Sequence, residues 1–154
     1  MKRAIRFASP VVLSLLVSAC GGGPVRRINP PSASIQQLSV QADGRWQLEL
    51  RLQNYSTVPM TFTAVDLDLA IEGHKAGKLS VSPGVEVPGE SADVVTVLHS
   101  PPAGAEKILA VAARDGNVGY TLRGGITTRE PDKRFDLDQA SQLSPVPGRP
   151  DTYR

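Results

Sequence analysis

Nine consecutive residues alternate without a break. Trp46, Leu48, Leu50 and Leu52 fall on one side of an extended chain, and Arg45, Gln47, Glu49, Arg51 and Gln53 fall on the other. Period two over this length means a strand with one dry and one wet face, as in a sheet packed on a core through a single side. Trp46 is the expected core anchor of that dry face. The chain must therefore build layered β-structure, and its neighbours in sequence are read against that requirement.

Most of the remaining chain agrees. Ile35 to Gln41 places Leu38 and Val40 on one face, and Asp43-Gly44 then supplies a tight turn. Met60 to Ile71 is a long strand with a phase change: Met60, Phe62 and Ala64 are even-numbered, whereas Val65, Leu67, Leu69 and Ile71 are odd. A one-residue slip turns the apolar set to the opposite face, so a β-bulge or a change of sheet is expected near Ala64-Val65. Glu72 to Gly77 reads as a turn leading into a short strand, Lys78 to Ser82. Ser82-Pro83-Gly84 and Pro88-Gly89-Glu90 are turn signals around Val85 and Val87. Ala92 to Leu98 is a further strand whose Val94-Val95 pair leaves its buried face open, and Pro101-Pro102 closes the run.

The period changes once. Ala105, Ile108, Leu109, Ala112 and Ala113 are spaced as one face of a helix within Ala103 to Arg114, with prolines before it and Asp115-Gly116 after it. Asn117 to Thr128 returns to β with Val118, Tyr120, Leu122 and Ile126 on one face, and Gly124-Gly125 weakens that strand or marks a bulge. Arg129 to Leu137 adds an edge strand through Phe135 and Leu137. Residues 138–154 carry Pro145, Pro147 and Pro150 and read as a disordered, Pro-rich tail. The expectation is a mainly β sandwich of six or seven strands with one late helix, over residues 35–137.

The first 34 residues belong to something else. Lys2, Arg3 and Arg6 precede the apolar run Val11 to Val17, which is too short to span a bilayer as a helix. Small Ser18 and Ala19 then lead directly into Cys20, the sole cysteine, with Val17 three residues upstream. This ending resembles a bacterial lipobox. The resemblance implies a signal peptide over residues 1–19, cleavage between Ala19 and Cys20, and lipidation of Cys20, with acyl chains as the link to the membrane. Gly21 in place of an aspartate favours the outer membrane, with the domain facing the periplasm. Residues 20–34, rich in glycine and proline, read as the lipidated cysteine and a flexible tether. Fully stretched, Gly21 to Ser34 would reach about 45 Å at ~3.3 Å per residue.

Cleavage also changes the charge. The net charge of +2 includes the three signal-peptide cations, and the mature chain keeps 14 basic and 15 acidic residues. Nothing in that balance points to nucleic acid. With Cys20 lipidated, no intramolecular disulfide, thiolate metal site or cysteine nucleophile remains.

One stretch carries a wider resemblance. Leu48 to Ser56 reads as a strand ending in Gln53-Asn54-Tyr55; Val58-Pro59-Met60 then opens a long strand closing on Leu69-Ala70-Ile71-Glu72-Gly73, with Gly77 following. A valine-rich strand after a Pro-Gly turn, a helix, and Tyr120-Thr121-Leu122-Arg123-Gly124 complete the pattern. This resembles the late embryogenesis abundant type 2 family, also called the water stress and hypersensitive response domain, over roughly residues 34–137. The family's turn is often Asn-Pro-Asn, and this chain keeps one asparagine and lacks the proline. The resemblance implies an immunoglobulin-like or fibronectin type III-like β-sandwich with one helix. It also implies a part in desiccation, osmotic or cold stress through weak contacts with proteins or membrane.

No chemistry is legible. His74 lies in a turn and His99 at a strand end, and Asp66 and Asp68 share a face that reads as solvated. There is no nucleophile elbow and no phosphate-cradling loop. The expectation is therefore no catalytic residue, no metal, no cofactor and no small-molecule substrate. The candidate contacts for a client or partner protein are Asn54 and Tyr55 in the turn and Ala64 and Val65 at the phase change. Two functional readings follow: a lipid-anchored, stress-protective envelope protein, or an adaptor of an envelope assembly.

Overall fold

The computed structural model describes residues 23 and 25–154. The signal peptide over residues 1–19, the cleavage site at Ala19 and the lipidation site at Cys20 expected from the sequence lie outside the described residues.

Two antiparallel sheets face each other. One has the order β6 (Ser91–His99), β2 (Trp46–Asn54), β1 (Ser32–Val40), β9 (Thr152–Tyr153). The other runs β4 (His74–Val81), β3 (Met60–Ile71), β7 (Val118–Arg129), β8 (Lys133–Leu143), with β5 (Val85–Val87) beside the first residues of β3. A single helix among the described residues, α1 (Ala105–Arg114), connects the sheets from β6 to β7. The β-sandwich with one late helix is thus the observed architecture. It has nine strands among the described residues in place of six or seven, and β5 and β9 supply only three and two residues.

The core follows the period-two reading. Trp46, Leu48, Leu50 and Leu52 of β2 are completely buried, and they meet Phe62, Leu67, Leu69, Leu122 and Ile126 of the facing sheet. The phase change in β3 is a bulge. Its register against β7 shifts between Phe62 and Ala64, leaving Thr63 as the extra residue, with its hydroxyl donating to the Thr127 carbonyl at 3.1 Å. The bulge lets Met60 and Phe62 face the core on one side of it and Val65, Leu67, Leu69 and Ile71 on the other. α1 lies with Ala105, Leu109 and Ala112 buried, three residues of the predicted stripe.

Several boundaries differ from the sequence reading. Strand β4 begins at His74, because the turn before it has only two residues: Glu72 and Gly73, both at positive φ, form a hairpin. Glu72 holds this conformation because Gly119 bonds it twice. Its N–H donates to the Gly119 carbonyl, and its carboxylate accepts the Gly119 N–H. At the N-terminus, β1 starts at Ser32, so the last residues assigned to the tether are strand.

The C-terminus departs most. Residues 138–154 are not a disordered tail. β8 runs on to a buried Leu143, and Ser144 and Arg154 exchange backbone hydrogen bonds across a reversal. Thr152 and Tyr153 then pair with Ser39 and Leu38 of β1. Pro145, Pro147 and Pro150 shape that reversal, with Gly148 at φ 74°, and do not disrupt it. Burial of the Tyr153 ring raises its phenol above the ordinary value, with the nearby Asp151 charge acting in the same direction.

Candidate functional site

The four residues expected to touch a client separate sharply. Val65 is fully buried in the core and Ala64 is half-buried beside the bulge, so the phase change is an internal repacking device and offers no surface. Asn54 is also fully buried. Only Tyr55, 53 % exposed, is available.

Asn54 has a different task. It is the last residue of β2, and its Oδ1 accepts the Ser56 N–H at 2.9 Å, closing an Asx turn. Its Nδ2 donates to the carbonyls of Val58, Val87 and Pro88 at 2.8–3.1 Å. One amide therefore ties the β2–β3 turn to the β5–β6 turn. Gly89 packs so closely that a Cβ there would lie 2.7 Å from the backbone of Thr57, which requires glycine.

The same turn grips the chain that enters the domain. Thr57 Oγ1 accepts the Arg27 N–H at 2.9 Å and donates to the Val25 carbonyl at 2.7 Å, while the Thr57 N–H donates to the Arg27 carbonyl. Ser56 Oγ accepts the Asn29 N–H and donates to the Asn29 carbonyl, and Asn29 Nδ2 donates to the Tyr55 carbonyl. Residues 25–29 are thus latched to Tyr55-Ser56-Thr57, which corrects the reading of this segment as free tether. The latch turns apolar side chains outward: Val25 is 69 % and Ile28 42 % exposed, beside Tyr55. The Asn54-Tyr55-Ser56 triplet carried the one usable signal for the turn, since asparagine two residues before serine is an Asx-turn pattern.

A second surface is the free edge of β6. Of the edge strands, β5 and β9 are very short, β4 carries Lys75 and Lys78, and β8 carries Lys133, Arg134, Asp136 and Asp138. β6 has nine residues and a single charged one, Asp93, and it presents Val94 and Leu98 to solvent. Asp93 uses its carboxylate to accept the Val94 N–H at 2.7 Å. That bond marks Val94 as facing away from β2, and by strand alternation Thr96 and Leu98 turn their backbone groups the same way. The edge is open but partly blocked by its own aspartate.

The two histidines sit in different surroundings. His74 is exposed and bonds the Glu72 carbonyl, whereas His99 is buried, bonds the Ala76 carbonyl at 2.6 Å and stacks edge-on to Trp46. Asp66 accepts from Ser80 at 2.8 Å on an exposed face. Among the described residues no three His, Cys, Asp or Glu side chains come together as metal ligands, and no helix is long and apolar enough to cross a membrane. At the end remote from the latch, an open groove of about 500 Å³ runs between α1 and the β3–β4 turn, with Ile108 and Val111 on its floor and Glu72, His74 and Lys107 around it.

A strand leaving Asn54, a bulged long strand, a two-residue turn and a helix before a Tyr-x-Leu strand form one continuous pattern. The model of the late embryogenesis abundant protein family, type 2, matches this chain over residues 49–139, more than half its length. The chain belongs to that family. No curated protein matches the chain in sequence. Among solved structures, a protein from Arabidopsis thaliana determined in solution is similar at 11 % identity and TM-score 0.50, covering 82 % of this chain and 84 % of that one. At this identity the likeness speaks for the fold alone. A crystal structure from Archaeoglobus fulgidus is similar at 13 % identity and TM-score 0.44, covering 78 % of this chain and 98 % of that one.

Proposed function

We propose that this late embryogenesis abundant type 2 domain is a non-enzymatic, lipid-anchored envelope protein that protects proteins or membrane during osmotic or drying stress through weak, reversible binding. Family membership over residues 49–139 is the observation that carries the reading. The lipobox-like run ending in Cys20 supports attachment to the outer membrane on the periplasmic side. Two or more acyl chains hold a protein stably where one does not.

The edge of β6 supports a binding mode. A partly unfolded client exposes extended backbone, and extended backbone adds to an open sheet edge. Val94 and Leu98 lend modest apolar area, while the Asp93 carboxylate on the Val94 N–H must be displaced before a full ladder forms. Such an edge captures many sequences briefly and none tightly. The same edge also fits the adaptor reading, in which one dedicated partner supplies the added strand.

Freezing or drying a model enzyme with and without the purified protein tests the proposal. Recovery of activity above that given by an equal mass of albumin is expected, along with loss of the advantage in Val94→Lys/Leu98→Lys. Recovery no better than albumin would contradict protection. A Cys20→Ser chain recovered in the soluble fraction instead of the membrane is the expected result for the anchor.

A further inference from the structure

The latch has a consequence for where the domain sits. If all residues from Gly21 to Ser34 were free, the domain could stand about 45 Å from its anchor at ~3.3 Å per residue. Because Val25 is already bonded to Thr57, only five residue steps separate Cys20 from the folded body. Five steps reach at most about 18 Å, less than the length of a nine-residue strand such as β2. With Cys20 anchored as proposed, the end of the sandwich that holds the latch stays within that reach of the lipid surface, close enough for its own side chains to decide whether it docks.

That end is suited to such a position. It carries three of the six large apolar side chains exposed among the described residues: Val25, Ile28 and Tyr55. The other three are Val94 and Leu98 on β6 and Val111 on α1. Arg26 and Arg27 stand within the latch itself. Around them Arg129 and Lys133 are offset by Glu86, Glu90, Glu130 and Asp132, so the end as a whole is balanced in charge and only the guanidiniums nearest the anchor carry a preference. Aromatic and aliphatic side chains beside arginines suit the boundary between headgroups and acyl chains. β3, with twelve residues spanning about 40 Å at ~3.3 Å each, puts α1 and its groove at the far end.

We infer that the Val25–Ile28–Tyr55 end of the sandwich rests on the lipid surface, inserting these side chains among the headgroups and holding the strands upright with α1 pointing away. The inference rests on the anchoring proposed above, and it assigns to the latch the job of setting orientation. The β6 edge then stands along the membrane normal, open to proteins of the envelope space.

A fluorescent probe on Pro30→Cys, an exposed residue beside the latch, is compared with one on Val111→Cys at the far end. Both are made in the full chain purified from membranes and returned to phosphatidylethanolamine–phosphatidylglycerol vesicles containing nitroxide-labelled lipid, and the acyl mass on Cys20 is measured first. An apolar face settles about 5–10 Å into the headgroup region, so quenching at position 30 is expected to exceed that at 111 by roughly threefold or more. Adding Val25→Ser, Ile28→Ser and Tyr55→Ser, all at exposed sites, is expected to remove most of that excess. Acylated chains with equal quenching at both positions would overturn the docking while leaving the anchor intact. An excess that survives the triple substitution would also overturn it, because tethering alone would then account for the proximity. A chain with no acyl mass would overturn the anchor and the docking together.

Discussion

The two ends of the sandwich are closed by opposite means. At the latch end, closure is polar: the Asn54 amide joins two turns, and Ser56 and Thr57 bind residues 25–29 through hydrogen bonds. At the other end, closure is apolar, with Leu109 and Ala112 of α1 laid on the core and Tyr153 packed beside β1. A polar closure satisfies backbone groups and leaves apolar side chains free to face outward. An apolar closure consumes most of its hydrophobic residues and leaves Val111 exposed within a charged rim of Glu72, His74 and Lys107. The end nearer Cys20 in the chain is thus the one with more apolar side chains exposed, Val25, Ile28 and Tyr55 against Val111 on α1.

This contrast can be broken from either side. The largest effect is expected for Asn54→Ala, which removes the amide's bonds to three carbonyls and to the Ser56 N–H, of which the Val87 carbonyl and the Ser56 N–H are bonded in buried surroundings. A loss of about 4 kcal/mol follows if each buried orphan costs ~1–3 kcal/mol and the turn relaxes in part. Chemical denaturation measures it, and a loss below about 1 kcal/mol would mean the turns hold without the amide. Leu109→Ala attacks the apolar closure and should cost about 3 kcal/mol, the usual range for a truncated core leucine. Far smaller is Thr57→Val, which removes the hydroxyl that bonds both Val25 and Arg27. It should lower stability by about 1 kcal/mol and make the bonds after Arg26 and Arg27 readily cut by trypsin while the sandwich stays intact. Unchanged cleavage would show that residues 25–29 are held by something other than the latch.

The smallest effect concerns pH. Burial raises the Tyr153 phenol above its ordinary 10.0, so the folded chain favours the protonated form. The stability this supplies is fully present below the unfolded value and is lost as pH rises through the folded one. The β1–β9 pairing should therefore loosen only in strong alkali, with amide exchange at Ser39 and Thr152 as the readout. Loosening already near neutrality would place the weak point elsewhere.

The parts legible in the sequence were those written in side-chain periodicity. The alternation from Trp46 to Leu52, the phase change in Met60 to Ile71 and the stripe from Ala105 to Ala113 each became an element with the buried face expected of it. What stayed hidden was written in backbone contacts. β9 has two residues and exists only because distant β1 offers it an edge, so no local pattern announces it. Residues 25–29 are held largely through their own N–H and carbonyl groups, which every residue but proline carries alike. The turn sequence points to Asn54 as a contact residue, but its burial and its bonds to Val58, Val87 and Pro88 make it a structural staple, and the exposed neighbour Tyr55 is the residue left for contact. The phase change does not expose Val65, because a bulge turns an apolar set inward as readily as outward.

On the reading proposed above, this domain protects many envelope proteins weakly in preference to serving one. Crosslinking the lipidated protein inside living cells before and after osmotic shock, with captured proteins identified by mass spectrometry, tests this most directly. The account predicts a broad set of partners that appears only after shock and shrinks in Val94→Lys/Leu98→Lys. A single dominant partner, captured at near-equal stoichiometry in both conditions, would contradict it and make the protein an adaptor.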